Sequence, residues 1–146
     1  MDQSSMQSQP NRDGVGYLLI TVTTARGAIP LEGASVQIRD PQRDNADILF
    51  ALTSDRDGKT PRIPLSAPSV TLSQSPSQSN STLPYAFYTV EVMADGYHSL
   101  LFQNVAVFDG ITSVQPAVMI PLPENGRTDS FSPNEGFTFT GEEPNL

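Results

Sequence analysis

Tyr17 to Thr24 reads YLLITVTT, and its reading decides the fold. Leu18, Ile20 and Val22 fall on one side of an extended chain while Thr21 and Thr23 fall on the other. That period of two is what a strand with one buried face requires. Working outward, the same alternation recurs. Ala34, Val36 and Ile38 alternate with Ser35, Gln37 and Arg39 after a loop punctuated by Gly27, Pro30 and Gly33. Ile48, Phe50 and Leu52 form a third set, and Pro61 to Leu65 a short strand whose prolines suit a sheet edge. Tyr88, Val90, Val92 and Ala94 make a fifth set, broken at Asp95-Gly96. Leu100 and Phe102 follow, with Val105 and Val107 either continuing that strand or starting another after a bulge at Asn104. The last set is Val118, Ile120 and Leu122, where Pro116 and Pro121 again point to an edge or a strand end. About seven strands separated by turn signals predict an all-β fold, a β-sandwich of the Ig-like, Greek-key kind.

Composition supports this and limits the chemistry. The 146 residues suit one domain with flexible ends, and 10 Gly with 13 Pro give the punctuation of short strands and turns. With no cysteine there is no disulfide, no thiolate nucleophile and no cysteine-ligated metal, so stability rests on packing. The net charge is −8, and nothing clusters Lys or Arg with aromatics, so nucleic-acid binding is not expected. The opening MDQSSMQSQPNRDG has neither the basic nor the apolar region of a signal peptide. No apolar run approaches the roughly 20 residues of a membrane helix, so membrane insertion is not expected.

The chain divides into a loose leader, residues 1–16, a sandwich, residues 17–122, and an acidic flexible tail, residues 123–146. The sandwich is interrupted by a Ser- and Pro-rich loop at 66–84, too long for a tight turn. The tail holds one Arg against five acidic residues, yet its FSPNEGFTFTG carries three Phe. Such a tail is either disordered or a peptide that docks on a partner, and it is expected to add little to the core.

The order of motifs resembles a known family. GYLLITVTTARGAIPLEGASVQI, LTSDRDGKTPRIPL, YTVEVMADGYHSL and VQPAVMIPLP resemble the carboxypeptidase regulatory-like domain, a transthyretin- or prealbumin-like sandwich. GAIPLEGASV, the LSQSP loop, PYAFYTVEVMADGY and NVAVFDGITSVQPAVMIPLP are further similar to the prealbumin-like region associated with bacterial spore cortex-lytic proteins. The resemblance implies a seven-stranded prealbumin-like sandwich without an active site. It also implies an accessory module of a bacterial spore or cell-envelope system, binding a protein partner or peptidoglycan. A structural surface, coat or phage-fibre component is the alternative.

Three residue groups are candidates for chemistry. Asp55-Arg56-Asp57-Gly58 has the opening of a calcium loop, but the twelfth position from Asp55 is Ser66, where a calcium loop of that type needs a bidentate Glu. The stretch reads as a turn, with Asp55 and Asp57 as weak metal candidates only. A hydrolytic acid pair would have to be assembled from loop carboxylates such as Asp55, Asp57 and Asp109, and no motif supports it. His98 is the one histidine, which excludes a multi-imidazole zinc site within one chain and leaves a surface or half-buried histidine. No catalytic residue, metal or cofactor is therefore expected. Among the aromatics, Tyr85, Tyr88 and Tyr97 are the candidate ligand-binding strip, because an exposed row of rings stacks on sugars or docks a peptide.

Overall fold

The computed structural model describes residues 13–42, 47–69, 85–123 and 136–142. The expected leader (apart from Asp13–Gly16), most of the 66–84 loop and most of the tail lie outside these residues. Within them the chain is all strand and turn, in two sheets.

The first sheet is organised by β1 (Gly14–Thr24), the YLLITVTT strand extended three residues towards the N-terminus. Leu18, Ile20 and Val22 are each 0% exposed, as the alternation requires. One side of β1 pairs in parallel with β8 (Thr112–Val118) from Tyr17 to Thr23. The other side is shared by β5 (Ile63–Ala67), antiparallel along Gly14 to Leu18, and the two-residue β2 (Ile29–Pro30), opposite Thr23 and Thr24. The second sheet runs β4-β3-β6-β7-β9. Its members are β3 (Ser35–Arg39), β4 (Ile48–Thr53), β6 (Ala86–Met93), β7 (Leu100–Val107) and β9 (Phe137–Thr140). The core is the space between the sheets. Val36, Ile38, Tyr88, Val90, Val92 and Leu100 face β1 across it, each at most 1% exposed.

Nine strands stand where about seven were expected. The additions are β2, too short to show a period, and β9, which lies in the segment expected to be a flexible tail. The proline argument holds, since among the described residues β5 and β8 each pair only with β1 and are edges. The bulge at Asn104 is also present. Its φ is +63°, and the β6–β7 register slips between Tyr88 and Val90, so Phe102 and Val105 both turn inward although three positions apart.

One face was expected the wrong way round. Along β8 and beyond, Ala117 and Met119 are buried at 0% and 2%, while Val118 is 42% exposed. Residues 117–120 read Ala-Val-Met-Ile, so both parities are apolar and the pattern alone does not choose between them. Pairing with β1 does: Ala117 sits beside Val22, whose side chain is in the core. The partners of outward-facing β1 residues are then exposed, as Val114 opposite Leu19 is at 54%. On the same face the Arg62 guanidinium lies 4.2 Å from the centre of the Tyr17 ring.

These positions predict a sharp contrast in stability. Leu18→Ala, which empties a fully buried site, is expected to cost about 2–5 kcal/mol. Val114→Ala on the outer face is expected to cost less than about 1 kcal/mol. Denaturant unfolding of both variants measures the difference, and equal losses would contradict the assignment of inner and outer faces.

Candidate functional site

The register of the second sheet builds an open pocket at one end of the sandwich. Ser35 opposes Met93, so the turn leading into β3 is set against the turn leaving β6. Between them lies a cavity of about 570 Å³ lined by Leu31, Glu32, Gly33, Met93, Asp95 and Tyr97, among others. That is within the usual size range of small-ligand sites, roughly 300–1,000 Å³. Tyr97 is held by its own backbone, its amide donating to the Ala94 carbonyl at 3.1 Å, and it bridges to Pro121. The adjoining Leu122 amide donates to the Gly96 carbonyl at 2.9 Å, which ties the turn to the chain after β8. Glu32 and Asp95 are exposed at the rim and Tyr97 is half-buried. Ionised carboxylates only accept hydrogen bonds, so this pocket suits a ligand that presents O–H or N–H donors and a face for the Tyr97 ring.

Of the three tyrosines expected to form a ligand strip, Tyr97 alone reaches such a surface. Tyr85 and Tyr88 are 3% and 1% exposed, so in this structure neither ring offers a face to a ligand, and that part of the expectation is corrected. Tyr88 points into the core, and its hydroxyl donates to the Ser66 carbonyl at 2.6 Å. Tyr85 packs against Phe87 and Phe108, with ring centres 5.2 and 5.6 Å away. The reason is local: Tyr88 belongs to the inward parity of β6, and Tyr85 precedes the strand and folds in beneath its start.

The Asp-x-x-Gly stretch is a structural plug. The Asp55 carboxylate accepts from the amides of Asp57 at 2.9 Å and Lys59 at 3.0 Å, closing the turn. Gly58 has φ +77°, and its carbonyl accepts from the Val22 amide at 2.6 Å. A Cβ on Gly58 would run into the Val22 carbonyl, so the tight approach to β1 needs glycine. Asp109 accepts from the Val15 amide at 3.1 Å, at the other end of β1. Val15 and Val22 are roughly 23 Å apart at ~3.3 Å per strand residue. Paired catalytic carboxylates stand from about 3 Å apart in aspartic proteases to about 9.5 Å in inverting glycosidases, so Asp109 is not brought together with Asp55 and Asp57. Among the described residues no three His, Asp or Glu side chains gather in a way that could hold an ion. His98, expected at the surface or half-buried, is 7% exposed, with its ring edge-on to Phe137 at 5.1 Å.

No family model matches the chain, and no curated protein does. Solved structures do. Catechol 1,2-dioxygenase from Acinetobacter sp. ADP1 is 17% identical over 90% of this chain and 60% of its own, with a TM-score of 0.51. The Bacillus anthracis TIE protein is 18% identical over 75% of this chain and 17% of its own, at a TM-score of 0.47. The minor pilin GBS52 of Streptococcus agalactiae is 15% identical over 75% and 46%, at 0.45. The chain thus spans less than two thirds of each of these proteins. At such identities the likeness is one of fold, a β-sandwich. It overturns one expectation, that the chain is not an enzyme because its fold is that of a non-catalytic module. A sandwich of this kind occurs in the catechol 1,2-dioxygenase, so the fold excludes no catalysis. No helix among the described residues is long and apolar enough to cross a membrane.

If Asp55 and Gly58 act as a plug, Asp55→Ala and Gly58→Val lower the melting temperature by the same amount in calcium and in EDTA. The cost expected for Asp55→Ala is about 1–2 kcal/mol, the range for a side chain that caps backbone amides. Thermal unfolding in both buffers checks this, and a calcium-dependent gain confined to the wild type would count against it.

Proposed function

We propose that this chain is a prealbumin-like accessory module of a bacterial spore or cell-envelope system, and that it binds peptidoglycan at the Tyr97 pocket. The observation that carries the reading is the composition of that pocket: one partly exposed aromatic ring beside two exposed carboxylates. Glycan strands offer rows of hydroxyl donors and apolar sugar faces, and their stem peptides offer ammonium groups. Carboxylates accept from the first and last of these, and an aromatic ring covers the second. The sequence resemblance to the prealbumin-like region associated with spore cortex-lytic proteins supports the same setting. Tyr97 and Asp95 belong to the Ala-Asp-Gly-Tyr stretch that carries part of that resemblance.

Co-sedimentation with insoluble vegetative and spore-cortex peptidoglycan tests the proposal. Saturable binding is expected, weakened about fivefold by Tyr97→Ala, the equivalent of losing roughly 1 kcal/mol of ring contact. Tyr88→Phe should bind as the wild type does, because Tyr88 is buried. Absence of binding to both materials, or full binding by Tyr97→Ala, would sink the reading.

A further inference from the structure

The carboxylates of the described chain are used in different ways. Those of Asp40, Asp55 and Asp109 accept from backbone amides, and Glu91 pairs with Arg39 at 3.2 Å. These hold the fold together. Glu32 and Asp95, exposed on the rim of the Tyr97 pocket, have no hydrogen-bond or ion-pair partner among the described residues, so neither side chain closes the turn it stands in. They come from two turns that the β3–β6 register brings together.

The rest of the lining sharpens the chemistry. Among the described residues that line the pocket there is no Lys, Arg or His, so nothing there neutralises the two carboxylates. Three lining amides are engaged by the fold itself: Leu31 donates to the Val22 carbonyl at 2.9 Å, Gly33 to the Ser54 carbonyl at 3.0 Å and Tyr97 to the Ala94 carbonyl at 3.1 Å. The charged groups that a ligand meets are all acceptors. A sugar hydroxyl both donates and accepts, whereas an ammonium donates three hydrogen bonds and accepts none. Its bonds to carboxylates are charge-assisted, roughly twice as strong as neutral ones. The half-buried Tyr97 ring adds a face that attracts a cation. A hard metal ion does not suit the same set, since calcium takes about six to eight oxygens and no three His, Asp or Glu gather among the described residues.

We propose that the Tyr97 pocket recognises a primary ammonium, with Glu32 and Asp95 setting that specificity. Resting on the peptidoglycan reading above, this specificity means that the polymer is held by its amines rather than by the hydroxyls of its sugars. Such amines are of two kinds, the side-chain amine of a stem-peptide diamino acid and a sugar amine that carries no acyl group.

The test begins with the full chain and soluble probes. Nα-acetyl-lysine methylamide and its Nε-acetylated analogue are titrated in turn and followed by nuclear magnetic resonance. The amine-bearing probe is expected to give saturable shifts at Glu32, Gly33, Asp95 and Tyr97, and the acetylated one none. Glu32→Gln and Asp95→Asn should each weaken binding about two- to fivefold, the range for an exposed ion pair. Salt at about 1 M should weaken it too, because screening then acts within roughly 3 Å. Asp47→Asn removes one charge beside Ile48, which opposes Arg39 at the far end of β3 from Ser35, and should bind as the wild type does. No shifts from the amine, equal shifts from both probes, undiminished binding by both pocket variants, or an equal loss in Asp47→Asn would overturn the proposal.

Insoluble peptidoglycan then separates the ammonium specificity from the reading it rests on. Acetic anhydride acylates the free amines, and binding is expected to fall to a small fraction of that seen with untreated material. Undiminished binding to the acylated polymer overturns the ammonium specificity and leaves the peptidoglycan reading intact. If the amine-bearing probe binds and untreated peptidoglycan does not, the ammonium site stands and the peptidoglycan reading falls. Glycan strands stripped of their peptides by an amidase identify the source: loss of binding places the amine on the stem peptide, and retention places it on the sugar.

Discussion

The structure depends on satisfying both backbone edges of β1. This strand is central to the first sheet and carries three fully buried side chains, and the amides and carbonyls of a strand so placed need partners. One edge is met by β8 and the residues that flank it, from Asp109 to Met119. The other edge needs three pieces of chain, because β5 reaches only to Leu18 and β2 begins only at Thr23. Between them the Asp55 turn fills the gap. Thr60 donates its amide to the Ile20 carbonyl, and its hydroxyl accepts from the Ile20 amide, both at 3.0 Å. The Thr60 hydroxyl thus serves the Ile20 amide as the acceptor that a strand carbonyl would otherwise supply, and itself donates to the Pro61 carbonyl. Gly58 and Leu31 then take the amide and carbonyl of Val22. A stretch that resembles the start of a calcium loop is thus the seal on the central strand.

With β1 sealed, the places left for binding are the ends and edges of the sandwich. The pocket at Tyr97 is an end site, built where two turns meet because β3 and β6 pair in a register that opposes Ser35 to Met93. It is rimmed by carboxylates and suits a donor-rich, polar ligand.

Much of this was legible in the sequence, and the parts that were not share a cause. The inward faces of β1, β3 and β6 follow from strict alternation, as with Val36 and Ile38, because polar residues stand between the apolar ones. Residues 117–120 lack that contrast, so the inward parity of β8 is fixed only by its non-local pairing with β1. Tyr88 stands in the inward set of β6, so its spacing already argued against a surface ring, whereas Tyr85 is buried from outside any strand, where spacing carries no signal. The period-two signal of Phe137 and Phe139 was present, but four residues within an acidic segment are too few to distinguish a docked strand from a loose tail. The Tyr97 pocket joins positions some sixty residues apart, from Glu32 to Asp95, and only the sheet register brings them together.

Native-state amide hydrogen exchange tests the account most directly, since it ranks the strands by the cost of opening them. A sealed β1 predicts the slowest exchange at the amides of Ile20 and Val22, with Met119, which donates to the Thr23 carbonyl, close behind. The β9 amides of Phe137 and Gly141 should exchange orders of magnitude faster, through local opening rather than global unfolding. Rapid exchange at Ile20 and Val22, or protection of Phe137 and Gly141 equal to theirs, would contradict both the sealed central strand and the detachable edge.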